Sequence, residues 1–163
     1  MAILLPALLF VLSLPVYADD ATLWSTMHLT AQAAIDAGSL AKSRAVSPEI
    51  RNLGLLVVRD AGEFDRRLQA LAAAAHIPLS DGPKPARVQF SELEQLRGVE
   101  FDRKFLNFSY GATETLRKQM HNAAQQIQNA SLQDLVELFD RIVSQDQFLS
   151  GWCLGHCVPR SKR

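Results

Sequence analysis

The chain has 163 residues, 48% of them hydrophobic, with only two cysteines, so one continuous core can form without covalent or metal staples. Seventeen basic side chains balance seventeen acidic ones. That zero formal charge removes the electrostatic footprint that binding to nucleic acid or an anionic membrane surface needs, and neither partner class is favoured.

The first 18 residues, MAILLPALLFVLSLPVYA, carry no charge and give way at once to Asp19 and Asp20. The run is short for a membrane span and interrupted by Pro6 and Pro15, and Val16 and Ala18 satisfy the small-residue cleavage rule. The expectation is a signal peptide over 1–18, cut after Ala18, that delivers the chain to an oxidising compartment, the periplasm or the exterior. No Lys or Arg precedes the apolar run, so an uncleaved anchor would be the route to membrane attachment. A single domain over 19–158 follows, with a short basic tail, 159–163, expected to be disordered.

Four long helices are predicted in the mature chain, and no strand pattern competes with them. The first runs from Ala21 to about Ala45, with Trp24, Met27, Ala31, Ala34, Ile35, Gly38 and Ala41 at steps of three and four. The second opens at Ser47-Pro48-Glu49, with serine as N-cap and proline in the first turn. Its stripe is Ile50, Leu53, Val57, Asp60, Phe64, Leu68 and Leu71, and His76-Ile77-Pro78 stops it. LSDGPKP then makes the long middle connection, followed by a short helical piece around Arg87 to Leu96. The third long helix covers about Val99 to Gln128, with Phe101, Phe105, Phe108, Ala112, Leu116, Met120, Ala123 and Ile127 on its apolar face. After Asn129-Ala130-Ser131 the fourth carries Leu132, Leu135, Phe139, Ile142, Asp146, Leu149 and Cys153. Short first and third connections around a longer middle one predict an all-α, antiparallel four-helix bundle.

Asp60 and Asp146 interrupt apolar stripes, and a carboxylate taken out of water needs a partner. One reading is a polar layer in the core, built from Asp60, Glu114, Asp146 and His28, with Asp36 and Gln147 as neighbours. The other is a pair of stripe-edge carboxylates meeting water or arginine. Di-iron bundles use Glu-x-x-His pairs, and none occurs here: Glu49, Glu63, Glu114 and Glu137 are followed at the third place by Asn52, Arg66, Arg117 and Asp140. No metal ligand, cofactor or catalytic residue is therefore assigned.

The stretch GWCLGHC, Gly151 to Cys157, contains both cysteines. A c-type haem requires Cys-x-x-Cys-His, which this is not, and zinc would lack a fourth ligand. In an oxidising compartment an intrachain Cys153–Cys157 disulfide leads, ahead of free or intersubunit-paired thiols, with metal last.

Residues 31–79 and 98–120 together resemble the exported bacterial family called domain of unknown function 4142. The resemblance rests on Leu40-Ala41 with Ala45, Ser47-Pro48-Glu49, Asp60, the Ile77-Pro78-Leu79 stop and Phe101-Asp102-Arg103. It implies a ferritin-like four-helix bundle. It also implies histidines at three places where this chain has Ala61, Thr113 and Gln147, leaving Asp60 and Glu114 as what carries over. The leading expectation is a non-enzymatic exported bundle with a binding, stress-related or envelope-associated role toward a protein or small ligand, self-association being open. The alternative is a ferritin-like metal-binding protein or oxidase using buried carboxylates.

Overall fold

The computed structural model describes residues 18–80, 87–124 and 130–157. The expected signal segment, apart from Ala18, lies outside the described residues. So do most of the Pro/Gly-rich connection, Ile127 and the basic tail.

Five helices follow in chain order: α1 (Ala18–Arg44), α2 (Pro48–Ala74), α3 (Arg87–Gln95), α4 (Gly98–Ala124) and α5 (Ala130–His156). The expected all-α bundle is present, and no strand occurs among the described residues. α1 begins three residues before the predicted start. Its hydroxyls do not compete for the helix, because Thr26, Thr30 and Ser39 each donate to the carbonyl four residues back at 2.7–2.8 Å.

α2 starts and stops where the sequence places it. Ser47 has an extended backbone and its Oγ accepts the Ile50 amide at 3.4 Å, with Pro48 in the first turn. At the far end the Ile77 amide donates to Ala72 O (2.9 Å) and the His76 amide to Ala73 O (3.1 Å). This is a Schellman closure, and His76 occupies the left-handed position at φ 56° where glycine is usual.

The α1–α2 turn is held from two directions. Arg51 Nη1 donates to the Ala45 and Val46 carbonyls at 2.7 and 2.9 Å. The buried Asp102 carboxylate of α4 accepts the Val46 and Ser47 amides at 3.1 and 3.0 Å. The first turn of α4 therefore sits beside the end of α1. Ser80, beyond α2, donates its amide to Ser25 Oγ near the start of α1 at 3.0 Å. These contacts give an up-down-down-up order with one long crossover, the connectivity of ferritin-like bundles. α1 packs on α2 and α4, and α5 packs on α4 and α2. α3 lies against α1 and α4, burying Leu93, and Arg44 donates to the Glu94 carbonyl at 2.6 Å.

The core divides into two clusters stacked along the bundle. One joins Trp24, Met27, Phe64, Leu68, Leu135 and Phe139 from α1, α2 and α5. The other joins Ala41, Ile50, Leu53, Phe101, Phe105 and Cys153 at the end bearing the α1–α2 turn. Within the level of the second cluster α1 and α2 approach closely: a Cβ on Gly54 would lie 2.7 Å from Gly38 O and 2.8 Å from Ala41 Cβ. Only hydrogen fits at that crossing.

Candidate functional site

The waist between the two clusters is not filled. A cavity of about 80 Å³ opens there, against about 30 Å³ for one water in the liquid. Small side chains leave the room: Ala33, Ala34 and Ala37 from α1 and Ala61 from α2. Phe64, Phe108 and Phe139 supply aromatic walls, and Thr30, Ser109, Thr113 and Asp146 the polar atoms. Thr30 Oγ1 donates to Thr26 O and Thr113 Oγ1 to Ser109 O, so each keeps accepting capacity only.

Asp146 is buried, and its Oδ1 has no hydrogen-bond partner. One turn further along α5 the fully buried Ser150 Oγ is also unpartnered. Burial first, and then the negative charge of Asp60, push the Asp146 carboxyl up to about 7, while Arg59 opposes them. At neutral pH this carboxyl stands near half-ionisation.

The four residues expected to form one polar layer fall into three places. Asp60 is a near neighbour of Asp146, but its carboxylate is committed to Arg59 at 2.6 and 3.1 Å. Glu114, partly exposed, accepts from Gln147 Nε2 at 2.9 Å, with Lys118 Nζ 3.2 Å away, and these contacts hold its carboxyl below the ordinary value. His28 belongs to another group. Its Nδ1 donates to Asp65 Oδ1 at 2.6 Å, and Gln32 and Gln69 both donate to Asp65 Oδ2 at 2.7 Å. Among the described residues no three His, Cys, Asp or Glu side chains are gathered as metal ligands. Asp36 lies half-buried on α1 and does not line the cavity.

The expected Cys153–Cys157 disulfide is absent from the structure. Both thiols are free, with Cys157 Sγ donating to Cys153 Sγ at 2.8 Å, where a covalent bond would be about 2.05 Å. The reason is helical. Cys157 N still donates to Cys153 O at 2.8 Å, and residues four apart in an intact helix hold their Cβ atoms about 5–6 Å apart. A disulfide wants roughly 3.5–4.5 Å. Burial, and then the hydrogen bond from Cys157, push the Cys153 thiol up to about 12. His156 is engaged elsewhere: its ring stacks on Trp152, with centroids 4.9 Å apart, and its Nδ1 donates to the Trp152 carbonyl.

Sequence reading missed Asp65 and Ser150, and it quoted Asp102 without a role and Thr113 only as a place where the resemblance implies histidine. Asp65 was legible in principle, since Val57, Ala61, Asp65, Leu68 and Ala72 also repeat at helical steps. Ala61 and Thr113, two positions where the resemblance implies histidine, both line the cavity.

A family model described as "Domain of unknown function (DUF4142)" matches residues 13–145. No curated protein and no solved structure matches the chain.

Proposed function

The chain belongs to the DUF4142 family, and from that premise we propose that it is an exported, non-enzymatic helical bundle that binds a small molecule in the cavity at its waist. The observation that carries this reading is the buried Asp146 Oδ1, left without a partner on the wall of an apolar cavity. A buried acceptor without a donor costs about 1–3 kcal/mol, and a ligand bearing a donor removes that cost. Among the described lining residues the one ionisable group is Asp146, set among apolar side chains that suit the body of a small ligand. Export rests on the apolar opening segment and the small residues at 16 and 18.

The test is methyl-resolved NMR of the purified protein against small fragments. Saturable shifts gathered at Ala34, Val57 and Val143, lost in Ala61→Leu, are the expected result. Shifts confined to the outer helix faces would overturn the cavity as ligand seat. Fractionation with amino-terminal sequencing tests export: a cytoplasmic chain that retains Met1 would overturn that part.

A further inference from the structure

The chemistry of the lining narrows the ligand class. Asp146 Oδ1 is unpartnered, and the Thr30 and Thr113 hydroxyls have already spent their protons on backbone carbonyls. With Asp146 ionised, the polar side-chain atoms of these three residues accept, and the Ser109 hydroxyl on the same wall can donate or accept, so a ligand that brings donors is favoured. An anion would lie against the ionised Asp146 carboxylate in a poorly solvated site. Apart from Ser109, the remainder of the described wall is alkyl and phenyl, and Phe64 and Phe139 lie 4.6 Å apart between centroids. Aromatic faces beside a carboxylate favour a cation with an apolar body.

Size sets the next limit. A cavity of about 150 Å³ holds benzene, so the 80 Å³ here suits a ligand of three or four non-hydrogen atoms. A divalent metal is a poorer fit, because it wants about six or more oxygen ligands for calcium or magnesium and Asp146 is the single carboxylate among the described lining residues.

We propose that the waist cavity binds a short alkylammonium ion, its chain against the alanine and phenylalanine walls and its ammonium donating to Asp146 Oδ1. An ammonium has three donors, matching Asp146, Thr30 and Thr113. This inference rests on the cavity being the ligand seat. Binding of the cation requires Asp146 to give up its proton, so uptake releases a proton near neutral pH. The charges around Asp146 are few. From α2 come Asp60 and Arg59, paired with each other. From α4 comes Glu114, with Arg117 and Lys118 beside it, held by Gln147 next to Asp146. The α1 wall contributes alanines and Thr30, with no charge among its lining residues.

The experiment is calorimetric titration of the full chain with propylammonium chloride, 1-propanol and sodium propionate, each at about pH 8 and about pH 5, either side of the Asp146 ionisation. The expected result is saturable propylammonium binding at the higher pH, weaker by at least about tenfold in Asp146→Asn and absent in Ala61→Leu. Buffers of different ionisation enthalpy should report release of up to one proton. Far-UV circular dichroism shows that both variants are folded, and the pH arm tests the unmutated chain. If propanol binds as well as propylammonium and Asp146→Asn changes nothing, the ammonium assignment is overturned and the cavity remains the seat. If none of the three probes binds while fragments still shift the waist methyls, the ligand class alone is overturned. If neither occurs, both readings fall together.

Discussion

Asp146 keeps its proton toward neutrality because its carboxyl is out of water and beside another acid. Its folded-state value of about 7 lies above the unfolded value of 3.8, so the folded chain holds the proton more tightly between them. Stability is therefore undiminished below about pH 4 and falls as pH rises through 7, by as much as about 4 kcal/mol at 1.36 kcal/mol per unit. Asp146→Asn should remove this slope. Urea unfolding at about pH 4 and pH 8 should show the variant gaining on the parent only at the higher pH. His76 offers a second local test. A left-handed residue with a side chain costs about 1–2 kcal/mol, and the extra freedom of glycine in the unfolded chain returns part of that. His76→Gly should stabilise by about 0.5–1 kcal/mol, read as a higher urea midpoint with an unchanged slope.

The helices were legible because their apolar spacing, caps and stops agree with one another. Ser47, Pro48 and the Ile77-Pro78 stop placed both ends of α2 within a residue or two. The side chains inside the bundle were less legible. Asp60 and Asp65 lie on overlapping stripes, and only the position of α1 decides which one meets His28 and which meets Arg59. For the thiol pair, spacing along a helix fixes the Cα atoms but not the Cβ geometry on which a disulfide depends. At the α1–α2 crossing, Gly54→Ala forces its methyl against Gly38 O and Lys42 N at under 3 Å. It should cost about 1–3 kcal/mol net, overpacking outweighing helix propensity. Gly62→Ala, with nothing within 4 Å, should instead stabilise by up to about 1 kcal/mol, so thermal unfolding of the pair should move in opposite directions. Asp102→Ala strips two amides of the α1–α2 turn of their acceptor. A loss of about 2–3 kcal/mol is expected, the scale of hydrogen bonds to a charged group.

Across the whole molecule, the up-down-down-up order brings the first turn of α4 onto the α1–α2 turn, and Asp102 is the residue that joins them. That explains Phe101-Asp102-Arg103 as a structural signature: Phe101 fills the core and Asp102 closes the turn. The site itself was half legible. Asp146 was singled out from its stripe and proves buried, but the void beside it follows from small residues on three different helices, Ala33, Ala61 and Thr113, which no single helical stripe reveals.

A partly open void at the waist also makes a chain compressible toward disorder, since unfolding lets water occupy whatever part of the space is dry. Filled completely, 80 Å³ per molecule amounts to about 50 mL/mol, within the range that scales with internal voids in folded proteins. Hydrostatic pressure should therefore unfold the parent more readily than Ala61→Leu, whose larger side chain occupies the space. Tryptophan fluorescence in a pressure cell, following the buried Trp24, should show a smaller volume change for the filled variant.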